Sequence, residues 1–556
     1  VQEIAQGLQS LGLPAGAVVG VLANTRLEWL LADLGIQSAA CVANGIYPTD
    51  APSQVEFLCA DSRTQAIFVE DDEQIDKVLE VRERLPDLRW IVVIDMQGLE
   101  RFDDPMVISL TQLRDRGRRA GGALRWPQLK PDDLAILVYT SGTTGKPKGA
   151  MHSQGGLVYA TRMAVSNLPQ TDQDERIAFL PLCHIAERII GGYSAVLSGA
   201  TLNFVESPET FAENVREVAP HVLFAVPRVW EKFYSGVHIS VREAGKLQQF
   251  TYAWALGVGR EVADRVLARQ PVGLGLKLRY GLADWLVLGN VRRLLGIQRA
   301  RALLSGAAPI SPELIRWYLS LGVPMLEGWG MTETCAYGTL TQPDRIQPGS
   351  IGPAAAGVEM RIDPQTGEML TRGPHLFKGY LNLPDKTAEV MDADGWFHTG
   401  DVGTVDAEGN YRITDRMKDI IITAGGKNIT PSEIENQLKF SPYITDAVVI
   451  GDRRAYLTAL VMIDQENVER FAQEHDVPFS NYASLTRAPE VQQLIQQEVD
   501  RVNREFARVE QIKRFRLLET QLSAEDEELT PTMKLKRSFV QKKYASLIES
   551  MYATAS

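Results

Sequence analysis

The residues best suited to chemistry begin at Tyr139. The run Tyr139-Thr140-Ser141-Gly142-Thr143-Thr144-Gly145-Lys146-Pro147-Lys148-Gly149 directly follows the apolar stretch Leu134 to Val138. Its glycines let backbone N–H groups turn toward an anion, its hydroxyls donate to phosphate oxygens, and its lysines supply positive charge. Such a loop after a buried strand has the composition of a polyphosphate cradle. It is not a Walker A loop, because GxxxxGK[ST] cannot be fitted and no helical pattern opens immediately after the lysine. Kinase and P-loop NTPase chemistry is therefore disfavoured.

Further stretches follow in a fixed order: Ser305-Gly306-Ala307-Ala308-Pro309, Glu327-Gly328-Trp329-Gly330-Met331-Thr332-Glu333, Trp396-Phe397-His398-Thr399-Gly400-Asp401, Asp415-Arg416-Met417-Lys418-Asp419 and Pro531-Thr532-Met533-Lys534. With the glycine-threonine loop they resemble the adenylate-forming (AMP-binding) superfamily, which includes acyl-CoA synthetases, firefly luciferase and nonribosomal peptide adenylation domains. The resemblance spans essentially the whole chain. Two departures, Trp329 where Tyr usually precedes Gly330 and a TPTxK context for Lys534, resemble the long-chain branch.

The resemblance implies a role for each stretch. Thr140, Ser141, Gly142, Thr143, Thr144, Gly145 and Lys148 would cradle the triphosphate of ATP. Gly306, Ala307, Ala308 and Pro309 would wall the adenine, and the flat face of Trp329, beside Gly330, would stack on the purine. Glu333 would hold Mg²⁺, a hard cation that takes carboxylate and phosphate oxygens, while Thr332 donates to the α-phosphate. Asp401 suits the ribose hydroxyls, since a carboxylate accepts two hydrogen bonds in a fixed fork. Arg416 would reach the ribose or the phosphates.

Lys534 is implied to serve the first half-reaction. A fatty carboxylate titrates near ~4.3, as Glu does, and needs no general base at neutral pH. It needs its repulsion from ATP neutralised. One ammonium between carboxylate and α-phosphate would hold both anions in near-attack geometry and stabilise charge on the pentavalent phosphorus. Locally, Lys534, Lys536 and Arg537 also read as a solvated basic strip. His184, in Pro181-Leu182-Cys183-His184-Ile185-Ala186-Glu187-Arg188, matches the segment near the carboxylate and the thiol route, where catalysis, pocket gating and a structural role all stay open.

For the second half-reaction, the resemblance implies that a small carboxy-terminal domain swings about Lys418. The swing would carry Lys534 away and present Gly425, Gly426 and Lys427 to the pantetheine arm of coenzyme A, where glycines suit a strand lying close to a ligand. Val226-Pro227-Arg228-Val229-Trp230-Glu231-Lys232-Phe233 resembles long-chain and very-long-chain fatty acyl-CoA synthetases, making Trp230 either a gate on a fatty-acid tunnel or a core anchor. The implied activity is AMP-forming: a long-chain fatty acid and ATP give an acyl-adenylate, which yields its acyl group to CoA. A fatty acyl-AMP ligase loading a carrier protein, or a nonenzymatic acyl-adenylate or lipid-binding protein, would share most of these motifs.

Positioning these residues takes more than one core, since 556 residues exceed an ordinary domain. Overall, 45% hydrophobic and 23% charged residues match the averages of soluble globular chains. In the first hundred residues, β runs at Val18 to Ala23, Ala66 to Glu70 and Trp90 to Asp95 alternate with helical segments, which predicts a doubly wound parallel sheet. Thr25 with Glu28 predicts a capping box ahead of Leu27, Leu30, Leu31 and Leu34. Residues 231–296 read as a helical insertion and Pro353 to Asp406 as a small β subdomain. The expected fold class is α/β: a large N-terminal domain over 1–415, a hinge at 416–419, and a smaller mobile α+β domain over 420–556. There Thr430 is expected to cap a helix, with Pro431 at its first position and Glu433 closing the box.

A formal net charge of −12 disfavours a phosphate-backbone binder, so no nucleic-acid partner is expected. Cys41, Cys59, Cys183 and Cys335 show no CxxC spacing and fit a reducing cytoplasm, and no secretory pattern opens the chain. The longest uncharged stretch, Ile189 to Val205, falls short of the ~20 apolar residues a membrane span needs and reads as buried core. Lys277, Arg279, Arg292 and Arg293 among Leu, Tyr and Trp suit peripheral contact with a membrane surface or a solvated helix face equally. A helical face of Ile4, Leu8 and Leu11 is already under way at Val1, so further chain is expected upstream.

Overall fold

The computed structural model describes residues 1–120, 127–140, 146–425, 427–522, 528–529 and 535–553. Ser141, Gly142, Thr143, Thr144, Gly145, Gly426 and Lys534 lie outside the described residues. The β-rich runs read from the sequence form Val18–Leu22, Ala66–Val69 and Trp90–Val93, each one or two residues shorter than the pattern. They pair in parallel with Val42–Ile46, Val107–Ser109 and Leu134–Thr140 in one sheet. These strands are apolar almost throughout because helices cover both faces. One edge turns antiparallel where Lys148–Ser153 folds back on Leu134–Thr140 and Gly379–Tyr380 adds outside it. Thr140 thus stands opposite Lys148, the last and first residues of the two paired strands.

A second sheet pairs Val222–Ala225, Ala302–Ser305 and Met325–Trp329 in parallel, and Thr339–Leu340 closes it antiparallel. The insertion is helical as expected: Pro227–Glu243, Lys246–Leu267, Leu274–Ala283, a π-helical turn at Asp284–Leu288, and Gly289–Leu295. The β subdomain is an antiparallel sheet of Gly352–Pro353, Asn410–Arg416, Phe397–Val405, Glu368–Arg372 and Glu359–Ile362. Beyond Asp419 comes a smaller α+β lobe. Its three-stranded sheet, Ile444–Ile450, Leu457–Ile463 and Ile512–Leu517, is backed by Pro431–Lys439, Gln465–Glu474 and Pro489–Asn503 around a separate apolar core.

Both expected capping boxes are corrected. The helix Leu27–Ser38 has Arg26 at its N-cap and no side-chain cap bond. The Thr25 hydroxyl is used elsewhere: it donates to the Leu180 carbonyl at 2.7 Å and accepts from the Leu182 N–H at 3.0 Å. A short polar side chain can serve a cap or a tertiary contact, and here it ties down the segment that precedes His184. The helix Pro431–Lys439 begins as expected, with Thr430 at the N-cap and Pro431 at its first position, yet the threonine side chain makes no cap bond. The cap comes from the preceding strand, Asn410–Arg416. Asp415 accepts from the Ser432 N–H at 3.2 Å and the Ser432 hydroxyl at 2.9 Å, supplying negative charge where orphan N–H donors concentrate.

The segment from Ile189 is buried only in part. A π-helical turn, Glu187–Tyr193, leads into Ser194–Ser198, where Val196 and Leu197 are exposed. Beneath it lies a fully buried ion pair between Arg188 and Asp33. Asp33 also accepts from the Tyr193 hydroxyl at 2.6 Å, and the Arg188 guanidinium sits 5.1 Å from the Trp29 ring centroid. All four cysteines are free and buried, with Cys335 Sγ 3.1 Å from Nδ1 of His152.

Candidate active site

A cavity of about 1780 Å³ opens between the two lobes and draws on both sheets, the β subdomain and the smaller lobe. Strand ends deliver the residues to it. On one side Lys148 lies 4.2 Å over the Tyr380 ring, and the Tyr380 hydroxyl donates to Oε1 of Glu333 at 2.7 Å. A loop lysine and a buried carboxylate are thereby held around one aromatic ring. Tyr380 was missed by sequence reasoning because it sits on a two-residue strand with no spacing that marks it. Its position comes from pairing with Ala150 on the strand that leaves the loop. The hydroxyl takes its pKa well above the ordinary tyrosine value through burial and then the Glu333 charge, so it stays protonated and donating.

Opposite, the second sheet ends in the turn around Gly306 to Pro309, with Ala307 at φ +68°. Met325–Trp329 contributes the indole, whose Nε1 donates to Oδ2 of Asp401 at 2.8 Å. Arg416 Nε lies 3.2 Å from Oδ1 of the same carboxylate. Trp329, Asp401 and Arg416 are therefore one connected unit, and the carboxylate keeps lone pairs beyond the two in use. Gly330 is obligatory here: a Cβ would lie 2.4 Å from the Ala336 carbonyl carbon. Thr332, Glu333, Gly306, Ala307, Ala308, Pro309, Trp329, Gly330, Asp401, Arg416, Lys418, Thr140, Lys148 and His184 all border this cavity.

His184 accepts at Nδ1 from the Ala186 N–H at 3.3 Å, which directs that ring nitrogen to its own backbone. Trp230 is fully buried and is not brought to the cavity wall. Its Nε1 donates to the Ala225 carbonyl at 3.3 Å, and Tyr318 packs edge-on at 5.6 Å, the packing of a core anchor. Its neighbours Arg228 and Glu231 do reach the cavity, and Arg228 donates from Nη1 to the Thr445 carbonyl of the smaller lobe at 2.9 Å. Gly425 and Lys427 stand away from the cavity, Lys427 paired with Glu510 at 3.1 Å. Leu535, Lys536 and Arg537 line it from the smaller lobe, with Arg537 anchored on Glu435 at 2.7 Å.

Residues 1–381 match a family model described as AMP-binding enzyme, and residues 418–556 match one described as AMP-binding enzyme C-terminal domain. The chain belongs to the AMP-binding enzyme family. It is similar to the long-chain-fatty-acid–CoA ligase FadD15 of Mycobacterium bovis, 35% identical over 556 residues that cover 99% of this chain and 90% of that protein. It is also similar to the mouse long-chain-fatty-acid–CoA ligase ACSBG1, at 32% over 99% of this chain and 80% of the relative. Among solved structures, the adenylation domain of a Mycobacterium chelonae carboxylate reductase superposes with a TM-score of 0.76 at 23% identity, covering 100% of this chain and 83% of that one. That likeness concerns the fold.

Proposed function

We propose that this chain is an AMP-forming long-chain fatty acid–CoA ligase that uses ATP, Mg²⁺ and coenzyme A. The observation that carries the reading is the convergence of the Lys148–Tyr380–Glu333 cluster and the Trp329–Asp401–Arg416 unit on one cavity bordered by both lobes. The similarity to ligases of long-chain fatty acids supports the substrate class.

The chain's own groups divide the work. Trp329 and the turn from Gly306 to Pro309 flank the base, Asp401 and Arg416 fix the ribose, and Thr140, Lys148 and Thr332 hold the phosphates. The donor set fits Mg²⁺. Among the described residues no trio of acidic, His or Cys side chains gathers to hold a metal, and this cation commonly takes one or two carboxylates with the rest from phosphate oxygens. Glu333 would supply that carboxylate; a bound Mg²⁺ offsets phosphate charge. Lys534 screens the fatty carboxylate as it attacks the α-phosphorus, giving acyl-adenylate and pyrophosphate. The region around 416–419 is the hinge between the N-terminal domain over 1–415 and the mobile domain over 420–556. Rotation there brings Gly425 to Lys427 toward the thiol, whose attack on the acyl carbonyl releases AMP.

The test is product analysis with ATP, Mg²⁺, CoA and acids of increasing length. AMP, pyrophosphate and acyl-CoA are expected in equal amounts with long-chain acids. Release of ADP, or adenylate formation with no thioester on free CoA, overturns the reading.

We also infer peripheral membrane contact through the insertion. No described helix is long and apolar enough to cross a membrane. However, Leu274, Leu278 and Trp285 are 81%, 77% and 75% exposed on one helical run, with Leu282 and Leu286 beside them. An i, i+4, i+8 leucine stripe ending in tryptophan suits an interfacial helix. Its basic rim is smaller than the sequence implied: Arg292 turns inward to Asp284 and the Leu321 carbonyl, and Arg279 pairs with Glu261. Lys277 and Arg293 stay exposed, on a chain whose net charge is −12. Co-sedimentation is expected with vesicles containing phosphatidylglycerol and weaker with neutral ones. The pair Leu278→Glu and Trp285→Ala should cut binding by about 10²-fold, the worth of two side chains of ~1.5 kcal/mol each. A dimer in solution that the same pair dissociates would assign the patch to a second copy and overturn the proposal.

A further inference from the structure

Tyr380 is buried among apolar side chains, and its hydroxyl is the part that packing does not explain. The residue is 4% exposed, in a cluster with Ala150, Phe377 and Phe397. Its ring meets Phe377 edge-on at 4.9 Å, Phe377 meets Phe397 in the same way at 5.6 Å, and the Tyr380 N–H donates to the Thr387 hydroxyl at 2.9 Å. A phenylalanine would fill this place equally well. The phenol O–H instead donates to Oε1 of Glu333 at 2.7 Å.

The same segment holds Glu333 a second time. The Glu333 carbonyl accepts from the Phe377 N–H at 2.8 Å, so its backbone and its side chain are both tied to residues 377–380. Glu333 borders the cavity, and among the described residues its side chain makes no other hydrogen bond or ion pair. Oε2 is thereby left for a ligand. A carboxylate fixed through one oxygen presents the other in a set direction, which is how an outer hydrogen bond orients a metal ligand.

The ring serves the opposite charge. The Lys148 ammonium lies 4.2 Å from its centroid, within range of the attraction between a cation and an aromatic face, and among the described residues it makes no hydrogen bond or ion pair. Lys148 and Glu333 would neutralise each other if they met. Held at separate places on one ring, they form no ion pair, so the ammonium stays available to phosphate and the carboxylate to a metal ion.

We propose that Tyr380 is a positioning residue for adenylation: its hydroxyl sets the Mg²⁺ carboxylate Glu333, and its ring sets the phosphate lysine Lys148. This rests on the synthetase reading above. Tyr380→Phe removes the hydroxyl and keeps the ring, whereas Tyr380→Leu removes both. Mn²⁺ affinity would be measured by electron paramagnetic resonance on enzyme saturated with a non-hydrolysable ATP analogue, and affinity for the analogue alone by calorimetry in EDTA. Tyr380→Phe is expected to bind Mn²⁺ about 10- to 100-fold more weakly, the usual effect of removing a metal ligand's hydrogen-bond partner, with metal-free nucleotide binding unchanged. Tyr380→Leu should weaken the metal-free complex as well, by about fivefold, through loss of the ring beside Lys148. Excess Mg²⁺ should restore carboxylate-dependent pyrophosphate exchange to Tyr380→Phe with the KM of the fatty acid unaltered, a rescue that a packing defect would not allow. Wild-type Mn²⁺ affinity in Tyr380→Phe, or an exchange deficit that Mg²⁺ does not cure, overturns the role of the hydroxyl. Wild-type metal-free affinity in Tyr380→Leu overturns that of the ring. Pyrophosphate exchange by the wild type alongside variants that bind metal and nucleotide normally sinks the positioning role alone; no exchange with any acid at any Mg²⁺ concentration sinks the synthetase reading with it.

Discussion

Replacing Lys534 by alanine is expected to lower carboxylate-dependent ATP–pyrophosphate exchange by about 10²- to 10³-fold, the effect of removing one positioned donor from developing transition-state charge. Thioester formation from supplied acyl-adenylate should continue, because under the proposed rotation that step no longer places Lys534 at the reacting centre. The asymmetry is the diagnostic, since a folding defect would depress both. The surroundings make the expectation specific to this lysine. Leu529 and Leu535 pair as an isolated β-bridge and both line the cavity, while Arg537 is committed to Glu435 and to the Val449 carbonyl at 3.0 Å. Arg537 is thus a structural cation. Exchange that survives Lys534→Ala at the wild-type rate would require the two anions to meet without this ammonium, and the adenylation scheme would fall.

Asp33→Ala is expected to be the most damaging change to stability, at about 3–5 kcal/mol, because it strands a buried guanidinium. Arg188 and Asp33 are both fully buried, and Asp33 also accepts from Tyr193 and from Gln37 Nε2 at 3.3 Å. Truncation leaves Arg188 with the Tyr193 oxygen and the Trp29 face alone. Tyr193→Phe, which removes one hydroxyl from the same network, should cost about 1–3 kcal/mol. Urea denaturation of the large lobe, followed by its tryptophan fluorescence, reads both. Equal midpoints for wild type and Asp33→Ala would mean that the pair contributes nothing to the fold. The network sits under the segment carrying His184, so adenylation should weaken together with stability.

The parts of the fold that sequence made legible are those with local pattern. Strands buried on both faces read as apolar runs, as at Ala66–Val69, and the helical insertion announced itself through period and composition. Two errors share one cause. Thr25 and Thr430 have the residue types of caps, but whether a hydroxyl serves its own helix or a distant carbonyl depends on what packs nearby, which no window of sequence contains. The same holds at the candidate site. Trp329, Glu333 and Asp401 stand in recognisable strings, whereas Tyr380 joins them only through strand pairing. Arg292 looked like a surface charge and proved to be a bracket for Asp284 and Leu321.

The sheltered thiols have a practical corollary. A maleimide reacts with the thiolate, and burial raises the pKa of Cys41, Cys59, Cys183 and Cys335 while denying reagent access. The native chain therefore behaves as if cysteine-free toward dyes. A cysteine placed at Glu213 in the large lobe and another at Arg453 in the small one, both on open surface, would accept a fluorophore pair with no background to engineer away. Energy transfer between them would report the proposed rotation of the small lobe directly, turnover by turnover.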